Sequence, residues 1–318
     1  MQVFRSLAEA RGRFGPCALT IGNFDGTHLA HQALFREVAL LAQSRRWHAC
    51  ALTFDPHPAH IVAPSKAPKR ITSFEERANV MEACGLDKVL ILPFTPMVAG
   101  ISPESFVRDM LVGDLQTKAI VVGDNFRFGH KHTGEMHLLA ELGLTLGFST
   151  HIEPAIRSRY GVISSTLVRE AVGSGRMSMA TRLLGHPYAL AGEVVAGHGI
   201  GSKQTVPTLN INPSTEVLPP NGVYISRTRD LDRKRSWTSI TNIGQRPTFH
   251  GEGLTVETFL LDPFDGQTPA RIEVQILRRV RDERKFESPE ALKNQIFRDV
   301  ARAQTYHRRA ARWRPALY

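Results

Sequence analysis

Apolar residues in the first half of the chain gather in short unbroken runs, and between those runs they recur at helical spacing. Cys17-Ala18-Leu19-Thr20-Ile21 predicts a short buried strand, and residues 28–46 predict the helix that follows it. Runs at 48–54, 88–92, 118–122 and 145–151 predict four more strands. A helix opens at Ser73, with Glu76 at the capping-box distance, and Gly85 ends it. Another opens at Ser102-Pro103, and a third lies near 135–142. Strands alternating with helices imply a parallel sheet covered on both faces, which binds ligands at the carboxyl ends of its strands. Beyond Leu184-Gly185-His186-Pro187 the pattern changes. Runs at 188–196, 206–211, 222–227, 237–241, 254–261 and 272–280, separated by Gly, Pro and Asn turns, predict a six-stranded antiparallel barrel. A helix from about Pro289 to Arg309, capped by Ser288, closes the chain. The expectation is an α/β domain over residues 1–184 and a barrel with a terminal helix over 187–318.

Composition narrows the class. A length of 318 residues suits two domains, and 42% hydrophobic content suits ordinary globular folding. No stretch approaches the ~18 uninterrupted apolar residues of a membrane span, and residues 1–13 carry no apolar signal core. Three widely spaced cysteines form neither a disulfide framework nor a zinc site, so a cytoplasmic location is expected. The net charge of +10 is uneven: from Arg278 onward there are 12 Lys/Arg against 5 Asp/Glu. With no aromatic-interleaved RNA motif or helix-turn-helix beside it, this basic tail reads as a solvated helix face. No membrane or nucleic-acid partner is expected, and self-association stays open.

The candidate chemistry sits where the predicted strands end. Asn23, Asp25 and Gly26 form the turn into the first helix, whose opening turn carries His28 and His31 three apart, on one face. A helix N-terminus offers unpaired N–H groups and the positive end of a dipole, a natural seat for phosphate. The plain alternative is one packed and one solvated histidine. Asp55-Pro56-His57-Pro58 and the stretch from Gly123 to Gly129 also directly follow strands, so one crevice could collect all three clusters. Ser164, Ser165 and Arg169 suit a polyphosphate, though by themselves they read first as an ordinary helix cap with a surface arginine. In the second half, Gly197 to Lys203 is either a phosphate-binding loop with Lys203 as its charge or a plain hairpin. Thr208 and Asn210 share one face of a strand and could together hold Mg²⁺. Glu257 lies opposite the face of Val256, Thr258 and Leu260, as a solvent-facing carboxylate or a working base.

Taken in order, Gly22-Asn23-Phe24-Asp25-Gly26-x-His28-x-x-His31, Asp55-Pro56-His57-Pro58, Gly123-x-Asn125-Phe126-x-Phe128-Gly129 and Ile163-Ser164-Ser165-Thr166-x-x-Arg169 resemble the successive motifs of prokaryotic bifunctional riboflavin kinase/FAD synthetases. Pro207-Thr208-x-Asn210, Gly222-Val223-Tyr224, the stretch from Asn242 to Phe249 and Glu257 resemble the kinase half of that family. The resemblance implies a Rossmann-like nucleotidyltransferase domain that joins FMN to AMP from ATP, giving FAD, and a barrel that phosphorylates riboflavin to FMN. It implies that His28 and His31 contact the ATP phosphates and that Asn23 and Asp25 lie against the nucleotide. His57 and Asn125 would set its phosphate and flavin ends, with Ser164, Ser165 and Arg169 gripping the polyphosphate. In the kinase, Thr208 and Asn210 would hold Mg²⁺ and Glu257 would take the proton from the ribityl hydroxyl. Ala30 stands where the family has Gly, Leu209 where it usually has Ala, and residues 201–206 depart from the bacterial pattern. The alternative is an FMN adenylyltransferase whose barrel binds flavin without catalysis.

Overall fold

The computed structural model describes residues 1–130, 133–195, 208–233, 235–248, 251–264 and 267–313. The chain divides into two compact units, Met1–Ser165 and Thr166–Tyr318.

In the first unit six parallel strands form one sheet: β1 (Gln2–Phe4), β2 (Cys17–Ile21), β3 (His48–Asp55), β4 (Lys88–Pro93), β5 (Thr117–Gly123) and β6 (Ser149–Glu153), in the order β1-β4-β3-β2-β5-β6. Side chains along each strand alternate between two cores. Cys17, Leu19, Ile21, Cys50, Leu52, Ile120 and Val122 face one. Ala18, Ala49, Ala51, Ala119 and Val121 face the other, and there the short side chains admit α1 (Leu29–Arg45), which inserts Phe35, Val38 and Ala42. Helix α2 (Phe74–Ala83) adds Met81 to the same core. Its start carries both halves of the expected capping box: Glu76 N donates to Ser73 Oγ and Ser73 N to Glu76 Oε2.

Three details differ from the sequence pattern. The edge strand β1 has one buried residue, Phe4, too few to announce itself. The helix opened by Ser102-Pro103 passes after one turn into a π-helix, α3 (Phe106–Asp114), whose wider turn buries Phe106, Val107, Met110 and Leu111 together. Helix α4 (Met136–Leu146) runs through Thr145 until Gly147 takes a left-handed conformation, so the strand predicted from 145 begins at Ser149.

The boundary falls after the first residue of α5 (Ser165–Gly173), and α6 (Met177–Leu184) follows in the second unit. Strands β7 (Tyr188–Val195), β8 (Thr208–Pro213), β9 (Gly222–Asp230), β10 (Ser236–Thr248), β11 (Gly251–Leu260) and β12 (Arg271–Asp282) close an antiparallel barrel in the order β8-β11-β10-β9-β12-β7. Inside it, Ser226, Thr228, Ser239, Thr241 and Thr258 are fully buried and satisfy one another through hydroxyl bonds of 2.7–3.2 Å. Outside it, Val223, Ile225 and Ile240 seat α7 (Pro289–Trp313) around Ala303. The buried Asp299 of α7 accepts from Arg281 Nε at 2.7 Å and from Gln295 Nε2 at 2.8 Å, tying that helix to β12.

His307 of α7 is buried too, and burial pushes its pKa below the usual 6.5, with Arg227 adding to this while Asp262 and the backbone of Ser239 and Ser226 oppose it. The unfolded chain therefore binds a proton at a pH where the folded one does not, so this group's contribution is intact above the unfolded value of about 6.5 and is lost as pH falls from there through the lower folded value. Between pH 7.5 and 5.5 the urea midpoint of the wild type should drop, and His307→Gln should shrink that drop; an equal drop in both proteins would refute the assignment.

Candidate active sites

Strand order in the first sheet reverses at β2, with β3 and β4 on one side and β5 and β6 on the other. The carboxyl ends of β2 and β5 flank the switch point, where open α/β sheets bind ligands. The chain leaves β2 through a turn in which Phe24, Gly26 and Thr27 have φ of 50°, 81° and 36°. Two non-glycine residues in this region are costly, and the surroundings fix them. Phe24 is buried edge-on to both His31 and Phe35. The Asp25 carboxylate accepts from the backbone N–H of Ile71 and Thr72 at 3.0–3.2 Å, and Gly26 N donates to Thr72 Oγ1 at 3.0 Å. Ser165 Oγ donates to the Asp25 carbonyl at 2.8 Å. Asp25 thus fastens the turn to the 71–72 segment.

His28 is the cap of α1 rather than its first residue: its Nδ1 accepts from His31 N at 3.4 Å. The two imidazoles stack, ring centres 3.7 Å apart and planes 17° apart. Burial, then the His28 ring and the Arg77 guanidinium, hold the His31 pKa well below its usual 6.5, so His31 is neutral near pH 7. Its Nδ1 is buried without a hydrogen-bond partner. The arrangement offers two stacked imidazoles, that of His31 uncharged, and a helix N-terminus on one side of the switch point, a set suited to aligning an anion.

Asn23 Nδ2 lies 3.0 Å from His57 Nε2, joining the ends of β2 and β3. After β5, Asn125 is exposed, while Phe126 and Phe128 stack at 5.6 Å and bury the base of that loop. Ser164 precedes α5, and Arg169 lies in the second turn of α5, within the second compact unit. Sequence reading missed Arg77, Thr53 and Thr72. Arg77 and Thr53 both reach the Asn23 carbonyl, Arg77 Nη1 at 2.8 Å and Thr53 Oγ1 at 3.3 Å. A lone arginine one turn into a capped helix looks like a surface residue; the signal was its place on the stripe of buried Met81.

The barrel carries a second, separate group of polar residues. Along β8, Leu209 and Ile211 are buried inside while Thr208 and Asn210 face outward, and along β11 Val256, Thr258 and Leu260 alternate in the same way with Glu257. Antiparallel register sets Asn210 directly opposite Glu257 on one side, and Asn242 of β10 directly opposite it on the other. Leu209, the departure from the family pattern, points into the barrel and away from this face. Lys203 and the Gly-rich stretch around it lie outside the described residues. Among the described residues no cluster of three His, Cys, Asp or Glu could hold a metal ion. The oxygens of Thr208 and Asn210 are the hard neutral donors that Mg²⁺ accepts when phosphates and water complete its shell, so the residues present fit that ion.

Residues 12–167 match the family model described as FAD synthetase, and residues 184–307 the one described as riboflavin kinase. A protein of Escherichia coli K12 named bifunctional riboflavin kinase/FMN adenylyltransferase is 36% identical over 295 residues, covering 91% of this chain and 92% of that one. A Pseudomonas fluorescens protein of the same name is 34% identical over 305 residues, covering 96% and 97%. A solved structure described as a macrolide-efflux protein from Streptococcus pneumoniae superposes with a TM-score of 0.83 at 24% identity, covering 95% of this chain and 98% of that one, a likeness of fold. Among the described residues no helix is long and apolar enough to cross a membrane.

Proposed function

We propose how the two sites divide their work from the premise that this chain belongs to the bifunctional riboflavin kinase/FMN adenylyltransferase family. Riboflavin is phosphorylated to FMN and FMN is adenylylated to FAD, both at the expense of ATP. We assign adenylyl transfer to residues 1–184 and phosphorylation to 187–318. The two family matches support this, although the contact boundary falls earlier, at Ser165.

In adenylyl transfer an FMN phosphate oxygen attacks the α-phosphorus of ATP, the α–β bridging bond breaks and pyrophosphate leaves. The nucleophile comes already ionised, so alignment and charge stabilisation suffice and no covalent residue is required. His28, His31 and the first N–H groups of α1 hold the triphosphate in this reading. Asn23 and His57 line the nucleotide side, with Asn125 toward the flavin. Ser164, Ser165 and Arg169 complete the polyphosphate grip by motif, and Asp25 acts by holding the turn that presents the histidines.

In the kinase reaction a neutral ribityl hydroxyl attacks the γ-phosphorus, so its proton must be removed as ADP departs. Glu257 takes that proton. Thr208 and Asn210 would hold Mg²⁺, which when bound neutralises developing phosphate charge. The register that sets Asn210 directly opposite Glu257 supports a base next to the residues that would hold Mg²⁺. Lys203 remains assigned to phosphate by its motif. We place the protein in the cytoplasm, in keeping with its three free cysteines.

The observation that carries the reading is that each unit assembles its own chemistry: a stacked histidine pair at the switch point in one, an Asn–Glu–Asn row on the barrel in the other. Incubating the purified chain with riboflavin, ATP and Mg²⁺ should produce FMN that then declines as FAD accumulates. Conversion of added FMN with riboflavin left untouched would instead establish an adenylyltransferase carrying a non-catalytic barrel.

A further inference from the structure

Arg77 stands on α2 one turn past the Ser73 cap and one turn before Met81, so the helix presses it toward the sheet along with its apolar stripe. It is 7% exposed. One nitrogen, Nη1, donates to the Asn23 carbonyl at 2.8 Å and to Thr53 Oγ1 at 3.5 Å, while Nε is buried with no hydrogen-bond partner. The guanidinium lies over the Phe74 ring at 5.6 Å. Asp25, Asp55 and Glu76 attract it through space and Arg70 repels it, yet among the described residues no carboxylate forms an ion pair with it.

A buried cation without a paired carboxylate is expensive, and folds rarely keep one without use. This one sits behind the turn that presents the two imidazoles, where a polyanion would supply the missing charge. We propose that Arg77 is a positioning residue of adenylyl transfer: it anchors the strand-to-helix turn through the Asn23 carbonyl and supplies the fixed positive charge behind His28 and His31.

The electrostatics at His31 agree with this. Burial disfavours its protonation most, and the stacked His28 ring and, through space, Arg77 of α2 add to this. The imidazole then serves as a neutral partner for the triphosphate, and the lasting positive charge of the seat comes from Arg77 and the α1 N-terminus. The proposal rests on the reading of the first site given above.

The test uses the full chain with Arg77→Lys, which keeps a charge and a donor, and Arg77→Gln, which keeps a donor alone. Arg77→Gln should lower kcat for FAD formation from FMN by about 10²-fold and raise the His31 titration midpoint followed by NMR. Riboflavin phosphorylation by the same preparation should not change. Arg77→Lys should stay within a few-fold of wild type, with the His31 midpoint in place. Wild-type turnover in Arg77→Gln would overturn the proposal, as would equal losses in both variants with His31 unmoved. If Arg77→Gln does not fold, the Lys variant decides alone: folded and nearly active supports the proposal, folded and at least ten-fold slower overturns it. His31→Ala, run in parallel, separates the layers. If it still makes FAD at the wild-type rate, the reading of the whole turn fails; if it is impaired while Arg77→Gln is not, only the role of Arg77 fails.

Discussion

Glu257→Gln is expected to cut phosphorylation of riboflavin by about 10²–10⁴-fold, the range for removing a positioned general base. The substitution keeps shape and hydrogen-bonding reach, so little stability should be lost from a half-buried site on the outer face of β11. What disappears is the carboxylate to which the proposed mechanism gives the ribityl proton. Asn210 and Asn242, directly opposite on the two neighbouring strands, can hold and orient but cannot accept a proton at neutral pH. Conversion of added FMN to FAD, assayed in the same tube, should continue at the wild-type rate, because none of the residues proposed for that chemistry belongs to the barrel. A chromatographic assay of riboflavin, FMN and FAD reads both steps together. Riboflavin phosphorylation within a few-fold of wild type would show that Glu257 is a solvent-facing residue without a proton to move.

Much of this was legible in the chain because period and position coincide. Alternation along β11 separates Glu257 from Val256, Thr258 and Leu260 in sequence just as in the barrel wall. The register that sets it between two asparagines, however, depends on which strands become neighbours, and local spacing does not contain that information. In the sheet, the unbroken apolar runs of β2 to β5 revealed buried strands, and the residues before His28 revealed the strand-to-helix turn at the switch point. The function of Asp25 was not legible. Its carboxylate meets the backbone of Ile71 and Thr72, some 46 residues on, so a residue that looks ligand-facing in its motif holds two segments together. Arg77 escaped notice for the complementary reason: surface and buried arginines look alike until the helix face is known. The overlong prediction for β6 failed where two apolar patterns abut, with only the left-handed Gly147 to mark where α4 gives way to strand.

His28 has two roles that a single alanine would confuse, and two substitutions separate them. As the cap of α1, its Nδ1 satisfies the N–H of His31; losing a cap costs about 1 kcal/mol. Its ring stacks on His31 at the switch point, and in the proposed function it would also present a donor or acceptor to the triphosphate. His28→Asn keeps a side chain that caps well and removes the imidazole. It should unfold at nearly the wild-type temperature yet form FAD from FMN about 10²-fold more slowly or worse, the loss expected when a group that stabilises developing phosphate charge is removed. His28→Ala should show the same catalytic loss together with a lower melting temperature. Both should phosphorylate riboflavin normally, since none of the barrel residues is touched. FAD formation at the wild-type rate in His28→Asn, with only the alanine variant impaired, would mean that the ring does no more than cap the helix, and the triphosphate would then have to be held by other groups at the strand ends.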